Sequence, residues 1–226
     1  MGRPKRIDLG GYVYHVLNRS NGQAPIFQET GDYEVFLRTI SQALKHVPGM
    51  RLLSYCLMPN HWHLVLWPRK DGELSNFVHW LTVTHTHRWR AHHPNLGAGN
   101  LYQGRYRSFP IASNDHCLQV CRYVERNALR SGLVDRAQDW LWGSLAGRRG
   151  IAEGPPLSKG PLALPSQWLR LVNRPETEEE LESCRRSVKR GQPFGSDAWV
   201  KKTCVKMNLE CTLVPQGRPR IHPKTD

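Results

Sequence analysis

The feature that most constrains the fold of this chain is a pair of short apolar segments joined by a tight turn. Residues 50–57 and 61–67 have the composition of strands, and the turn around Pro59-Asn60 separates them. Apolar residues recur three and four apart in residues 32–47 before this pair and in residues 72–92 after it. The sequence therefore predicts a β-hairpin between two amphipathic helices.

Two further strand-like segments flank this unit. Residues 11–18 (GYVYHVLN) are rich in β-branched and aromatic residues, and residues 101–111 (LYQGRYRSFPI) alternate, with arginines on one face. A third helix is expected from a cap at Ser113 to about residue 129. The order β-α-β-β-α-β followed by a helix predicts an α+β fold, a ferredoxin-like split βαβ antiparallel sheet with helices on one face, plus a helical C-terminal extension.

The composition changes after the third helix, which predicts a boundary. Residues 148–165 are rich in Gly and Pro and are expected to form a linker. Charged helices are expected at residues 176–190 and 197–209, followed by a basic tail. We therefore expect one domain at residues 1–147 and a helical extension at residues 166–226.

The chain is strongly basic. It carries 32 Lys and Arg against 19 Asp and Glu, a net charge of +13, and such a protein usually meets a polyanion, most often nucleic acid. A basic surface kept for solubility is the alternative. No segment reaches the roughly 18 apolar residues of a membrane helix, so no membrane partner is expected. The lack of a signal-peptide pattern and of any C-x-x-C pair among six cysteines favours a cytoplasmic location.

Two histidines stand at the head of the second hairpin strand, in the stretch MPNHWHLVLWP. Side chains two apart in a strand point to the same face, so His61 and His63 are expected to project together while Trp62 points into the opposite layer. Two adjacent imidazoles suit one divalent metal, although such a site needs a third ligand. Two solvent-facing or hydrogen-bonded histidines are the alternative.

Two other histidine pairs lack this geometry. His85 and His87 have the same spacing but fall on a predicted helix, where side chains two apart point about 200° apart, so they are not expected to share a metal. His92 and His93 are adjacent and are expected to diverge likewise. We therefore expect all four on the surface or facing nucleic acid.

The third predicted helix carries a tyrosine and an asparagine four residues apart. Tyr123 and Asn127 are expected to lie one above the other at the edge of the buried face. A tyrosine hydroxyl can attack phosphorus and conserve the bond as a phosphotyrosine ester, but its pKa of about 10 calls for help from a metal. An asparagine oxygen with two neutral imidazoles suits Mg²⁺ or Mn²⁺. A core-edge tyrosine and a polar residue at a helix end are the alternative.

These segments resemble a known family. The HWH stretch resembles the HUH motif, and residues 122–134 (RYVERNALRSGLV) are similar to the tyrosine helix of the IS200-like Y1 transposases. The segments GYVYHVLNRSNG, LYQGRYRSFPI and SVKRGQPFGSDAW, with a final GRPR, are similar to the REP-associated tyrosine transposase branch of that family. The resemblance extends from about residue 10 to about residue 220. One departure is Asn-Ala-Leu-Arg at residues 127–130, where many relatives have Asn-Pro-Val-Arg, so local helix geometry is expected to differ.

The resemblance implies an activity. Members of the family cut single-stranded DNA through a 5′-phosphotyrosine intermediate and leave a free 3′-hydroxyl. By motif, Tyr123 is the nucleophile, His61 and His63 are metal ligands, and Asn127 stands where the third ligand stands. The branch acts on palindromic repeats that fold as imperfect hairpins beside a short guide sequence, and its members are usually domesticated. A monomer is favoured over a homodimer, and residues 1–147 would be the catalytic domain.

Seven residues are expected to contact DNA. His15 and Arg19 are placed by the resemblance near the guide bases, and the others are basic or polar side chains on the last strand and beside the tyrosine. These others are Gln103, Arg105, Arg107, Arg122 and Arg130. The tyrosines of the last strand are expected in the core. The basic segments at residues 2–6 and 217–220 are expected to bind nucleic acid as flexible tails or in an A·T-rich minor groove.

Three other functions stay open from the sequence. A hairpin-DNA binder that does not cut would act as a regulator. A hydrolase that activates water with the metal would not need Tyr123. An RNA substrate is the third alternative, since the net charge does not distinguish the two nucleic acids.

Overall fold

The structure is a computed structural model that describes residues 8–94 and 99–214. This part of the chain contains one antiparallel sheet of four strands in the order β2-β3-β1-β4. The strands are β1 (Val13–Arg19), β2 (Arg51–Met58), β3 (His61–Trp67) and β4 (Arg107–Ile111). The predicted ferredoxin-like α+β fold is confirmed, and the basic tails at residues 2–6 and 217–220 lie outside the described residues.

Eight α-helices occur in the described ranges. They are α1 (Thr30–His46), α2 (Glu73–His92), α3 (Asp115–Glu125), α4 (Asn127–Arg130), α5 (Ser144–Arg148), α6 (Trp168–Asn173), α7 (Glu178–Arg190) and α8 (Asp197–Met207). Within residues 8–94 and 99–214, none of these helices is long and apolar enough to cross a lipid bilayer.

The two crossover helices α1 and α2 pack on one face of the sheet, as predicted. Alternation along β3 sends Trp62, Leu64 and Leu66 into this layer, where all three are fully buried. They meet Phe36 of α1 and Phe77 of α2 in one apolar cluster. This layer fixes which side chains of β3 remain for the opposite face.

The opposite face is covered by α3 and by parts of the C-terminal extension. Val65 of β3 packs there with Val120 and Val124 of α3, and Trp168 of α6 joins the same cluster. The helix that carries Tyr123, α3, therefore packs on the side of the sheet to which His63 points; we call it the tyrosine helix. The sheet has helices on both faces once α3 is counted.

The last strand is shorter than predicted. It begins at Arg107 rather than at residue 101, because the ladder with β1 is interrupted at residues 103–106, and Tyr102 keeps only an isolated bridge to Ser20. The Tyr102 hydroxyl accepts a hydrogen bond from Trp62 Nε1 at 3.1 Å and lies 2.6 Å from His85 Nδ1. These side-chain bonds hold Tyr102 against Trp62 and α2, and both Tyr102 and Tyr106 are buried as expected.

His85 is not a surface residue, so that expectation is wrong. It is 1% exposed and stacks edge-on against Phe36, with ring centroids 4.6 Å apart. Leu81 and Val78 precede it by four and seven residues on the same buried stripe of α2, which explains its position. Burial lowers the pKa of His85 to about 3, so it is a neutral hydrogen-bonding core residue.

The tyrosine helix begins and ends differently from the prediction. Its N-cap is Asn114, whose side chain accepts a hydrogen bond from the His116 amide, rather than Ser113. The helix ends at Glu125, and α4 follows after a single residue, Arg126. The Arg126 amide still donates to the Arg122 carbonyl at 2.9 Å, so a helical hydrogen bond continues across the junction.

A buried carboxylate joins α3 to the sheet and to the extension. Glu125 is 3% exposed, and its two oxygens accept hydrogen bonds from four side chains. These donors are Ser54 of β2, Ser144 and Arg148 of α5, and Trp168 of α6. A single charged group therefore ties four elements together.

We expect Glu125→Gln to lower the free energy of unfolding by about 3 kcal/mol, because it leaves the Arg148 guanidinium without its buried counter-charge and turns an amide toward N–H donors. Urea unfolding followed by circular dichroism measures the change. The matched control is Glu182→Gln, since Glu182 pairs with Arg186 on the surface and is 77% exposed; we expect a change within about 0.5 kcal/mol. Equal effects in the two variants would contradict the role of Glu125.

Candidate active site

Three imidazoles meet on the sheet face that α3 covers. In the antiparallel pairing of β1 with β3, Leu17 stands opposite His63, so His15 lies diagonally beside it. His15 Nε2 and His63 Nδ1 are 2.8 Å apart, a hydrogen-bond distance. The rings of His61 and His63 have centroids 5.0 Å apart, so both project to the same face as the alternation requires.

Burial keeps these imidazoles neutral. Burial lowers the pKa of His15 to about 3 and that of His61 to about 4, and it holds the pKa of His63 well below its usual range. The positive charge of nearby Arg19 and Arg130 adds to the effect at His63. A neutral imidazole offers a lone pair, so the electrostatics favour a ligand role over a charged one.

Each histidine of the pair has one ring nitrogen engaged by a neighbour. His61 Nδ1 is 2.7 Å from Asn60 Oδ1, and His63 Nδ1 is bound to His15. Nε2 is then the nitrogen that remains on each ring for a cation, and the Nδ1 contacts orient the rings as the hydrogen-bond partners of metal-bound histidines do. His15 Nδ1 is buried with no hydrogen-bond partner among the described residues.

Tyr123 lies across from the histidines. Its ring centroid is 6.2 Å from that of His63 and 6.4 Å from that of His15. The side chain is 8% exposed, and burial raises its pKa, while the Arg130 guanidinium, 4.1 Å above the ring centroid, opposes that rise. The structure thus brings the predicted nucleophile to the predicted ligand pair.

Asn127 is connected to the tyrosine through Arg130. Asn127 is buried at the start of α4, and its Oδ1 accepts a hydrogen bond from Arg130 Nη2 at 3.1 Å. Arg130 also donates to the Tyr123 carbonyl and pairs with Glu176 at 3.0 Å. Glu176 belongs to the C-terminal extension and its side chain is 5% exposed, so the extension supplies a carboxylate that orients Arg130.

The other arginines of this region also face the extension. Arg122 pairs with Glu180 at 3.2 Å, and Arg126 lies 3.6 Å from Glu176. Both arginines also donate hydrogen bonds to backbone carbonyls of the extension. Arg122 donates to the carbonyls of Leu171, Arg174 and Pro175, and Arg126 donates to those of Val172 and Asn173. Contact of Arg122 or Arg130 with DNA stays a prediction, and both side chains already have protein partners.

A groove is lined by four of the predicted DNA-binding residues. Arg19, Gln103, Arg105 and Arg107 are all exposed and line a cavity of about 510 Å³, with Val188 of α7 on its rim. Gln103 and Arg105 lie on the loop before β4 rather than on a strand. His15, by contrast, is fully buried against His63 and Phe109, so its predicted contact with DNA remains a prediction that its position does not favour.

Some residues of the site were missed from the sequence. The pairing of His15 with His63 was visible in principle, because antiparallel strands place such positions diagonally once the register is known. Glu176 gave no signal, since it is one acidic residue in an acidic stretch far along the chain. A further group of ligand-type side chains lies where the end of α2 meets the start of α1. It consists of Asp32, His92 and His93.

The chain is similar to known proteins over much of its length. The family model described as Transposase IS200 like matches residues 9–127, more than half of the 226 residues. A search of curated protein sequences found no match.

Two solved structures are similar in fold. One is a REP-associated tyrosine transposase bound to a REP hairpin, with 18% identity, a TM-score of 0.55, and coverage of 70% of this chain and 94% of that chain. The other is a protein of Deinococcus radiodurans R1 described as a candidate transposase, with 20% identity, a TM-score of 0.39, and coverage of 55% and 95%. The first shares the fold of this chain.

We expect the stability of the protein to fall steeply as the pH drops below about 6.5. The unfolded chain takes up protons at the ordinary histidine pKa of 6.5, whereas folded His15, with its pKa near 3, stays neutral. Each such histidine therefore removes up to about 1.4 kcal/mol per pH unit between these values. Unfolding by urea at pH 7, 6, 5 and 4.5, with a chelator present, measures the slope.

The His15→Gln variant tests the contribution of one ring, because glutamine keeps a hydrogen-bonding group beside His63 but does not titrate. We expect its slope to be smaller by about 1.4 kcal/mol per pH unit. His79→Gln, at an exposed position of α2, is the control. A slope of His15→Gln equal to that of the unchanged chain would contradict the assignment.

Proposed function

This chain belongs to the IS200-like transposase family, and from that premise we propose that it is a metal-dependent enzyme that cleaves and rejoins single-stranded DNA through Tyr123. One observation carries the proposal. The hydrogen bond between His15 and His63 orients a neutral imidazole whose ring centroid is 6.2 Å from that of Tyr123. A nucleophile beside an oriented ligand pair is the arrangement that phosphoryl transfer to tyrosine needs.

The residues present fit a divalent cation. His61 and His63 would hold it through Nε2 and Asn127 through its amide oxygen, a neutral donor set that leaves positions for phosphate oxygens. The Nδ1 contacts with Asn60 and His15 fit this use, because they leave Nε2 as the ligand atom on each ring. A bound Mg²⁺ or Mn²⁺ would withdraw charge from the scissile phosphate and orient it for in-line attack.

The chain's own groups then carry out the transfer. The Tyr123 hydroxyl gives its proton to solvent, and its oxygen attacks phosphorus. The bond from phosphorus to the 3′-oxygen breaks, and the departing oxygen takes a proton from solvent to become a 3′-hydroxyl. The downstream DNA stays joined to Tyr123 by its 5′-phosphate. The Arg130 guanidinium above the ring stabilises the phenolate, which burial alone disfavours. Rejoining is the reverse reaction with a 3′-hydroxyl as the nucleophile.

We propose repetitive palindromic DNA that folds as hairpins as the substrate class. The resemblance of several segments to the REP-associated branch supports this choice, and so does the shared fold with a transposase whose structure contains a REP hairpin. The exposed groove with Arg19, Arg105 and Arg107 is suited to a nucleic-acid backbone. A cytoplasmic monomer with its catalytic domain at residues 1–147, a linker at 148–165 and an extension at 166–226 remains part of the proposal.

A second candidate is a hairpin-DNA binder that does not cut. The observation in its favour is that Tyr123 is 8% exposed and lies under Arg130, which Glu176 of the extension holds in place. In this arrangement the groove is accessible while most of the Tyr123 side chain is covered. The two candidates differ in a covalent product, which one experiment detects.

We expect a 3′-labelled single-stranded hairpin to form an adduct with the protein that survives boiling in detergent and requires Mg²⁺ or Mn²⁺. Tyr123→Phe should form none while keeping its affinity for the hairpin within a few-fold, because only the hydroxyl oxygen is removed. Tyr12→Phe, at a half-buried tyrosine beside Trp199, is the matched control and should form the adduct normally.

Each other result has a clear meaning. Cleavage by Tyr123→Phe without an adduct would identify a metal-activated water as the nucleophile. Binding without cleavage by the unchanged chain, with both metals and several hairpins, would favour the regulator. Stronger competition by single-stranded RNA than by DNA of the same sequence would change the substrate class.

We expect the double substitution Arg105→Ala with Arg107→Ala to weaken binding of single-stranded DNA and to flatten its salt dependence. The slope of the logarithm of affinity against the logarithm of salt should decrease by about 0.7 for each phosphate that an arginine no longer neutralises. Fluorescence anisotropy with a labelled hairpin from 50 to about 200 mM salt measures the slope. Arg186→Ala, on the exposed surface of α7, is the control, and an equal effect there would contradict the groove.

A further inference from the structure

Three ligand-type side chains converge where α2 ends against the start of α1, and Glu29 contacts one of them. His93 Nε2 is 2.8 Å from Asp32 Oδ1, and His92 Nε2 is 2.7 Å from Glu29 Oε1. The ligand atoms of Asp32, His92 and His93 all lie within 4.8 Å of one another. This cluster contains none of the residues of the proposed active site.

The expectation that His92 and His93 diverge is wrong. It assumed that both residues continue a regular helix, but α2 ends at His92 and the His93 backbone has left the helical region, with φ −119° and ψ 61°. The turn swings the second ring back beside the first, and their centroids are 5.0 Å apart. Both ε nitrogens then point toward carboxylates at the start of α1.

The carboxylate at the centre is held in place before any cation binds. Asp32 is 4% exposed, and its Oδ2 accepts the backbone amides of Gln28 and Glu29. Its other oxygen, Oδ1, faces His93. One carboxylate oxygen is thus fixed by the backbone and the other is presented with two imidazoles, which is a pre-organised ligand set.

We propose that Asp32, His92 and His93, with Glu29 as a fourth ligand, form a second metal site that binds Zn²⁺. Two imidazole nitrogens with carboxylate oxygens favour a borderline transition-metal ion over Mg²⁺. Ligand atoms around a tetrahedral zinc are about 3.3 Å apart. The ligand atoms of Asp32, His92 and His93 lie within 4.8 Å of one another, so side-chain rotations would bring them to that spacing. The two carboxylates neutralise the ion, and zinc takes the place of the hydrogen bonds between each histidine and its carboxylate.

The position of the cluster indicates a structural role. The segment before Glu29 supports the hairpin turn that precedes His61, because the amides of Ile26 and Phe27 both donate to the Pro59 carbonyl. Trp89 of α2 donates to the Ile26 carbonyl at 2.9 Å, so the end of α2 already contacts this segment. A zinc ion would crosslink α2 to the segment that supports the start of β3.

The test separates this site from the proposed catalytic one by using the double variant His61→Ala with His63→Ala. After removal of metals with EDTA, the full-length variant is dialysed against Zn²⁺, and bound zinc is counted by atomic emission. We expect one zinc per chain and a melting temperature that rises with Zn²⁺. The added change of His92 and His93 to Ala should abolish both the zinc and the rise.

The double variant His79→Ala with His87→Ala removes two exposed histidines of α2 and should keep the site, which makes it the matched control. Circular dichroism checks that each variant is folded, and the absorption of tetrahedral Co²⁺ gives a second readout in the otherwise unchanged chain. Equal zinc contents with and without His92 and His93 would overturn the proposal and leave two hydrogen-bonded histidine–carboxylate pairs. DNA cleavage by the double variant His92→Ala with His93→Ala should match that of the unchanged chain. Zinc binding and DNA cleavage are therefore measured independently, and the failure of one proposal is distinguishable from the failure of the other.

Discussion

The pairing of β1 with β3 at the centre of the sheet is the constraint on which the rest of the structure depends. Its register sets Leu17 opposite His63 and Arg19 opposite His61. Because side chains alternate between faces, the same register buries Trp62 under the crossover helices and turns His63 toward the tyrosine helix. A slip of one residue would exchange the two faces, so the hydrogen bonds that build the sheet also assemble the site.

Local pattern was enough to predict the order of the elements, the bounds of β3 and the fold. It was not enough where a distant partner decides the outcome. Residues 101–106 alternate like a strand, yet the Tyr102 hydroxyl binds Trp62 and His85, and Tyr102 keeps only an isolated bridge to Ser20 beyond the end of β1. The burial of His85 could have been predicted, because it continues the apolar stripe of α2.

The candidate site divides in the same way. Strand alternation places His61 and His63 together, and helical spacing brings Tyr123 near Asn127, so these positions follow from sequence and family resemblance. The partners that orient them are remote in the chain. His15 is 48 residues from His63, and Glu176 is 46 residues from Arg130, so no local spacing connects them. Only the fold brings such pairs together.

The contacts between the extension and the tyrosine helix also shape the electric field of the molecule. Glu176 and Glu180 compensate the arginines of α3 and α4, whereas no ion pair within the described residues compensates Arg19, Arg105 or Arg107. The groove therefore carries three arginines without an ion pair among the described residues, whereas the arginines nearest Tyr123 are paired with carboxylates of the extension. A polyanion that approaches by diffusion is therefore attracted more strongly to the groove than to the surface beside the tyrosine.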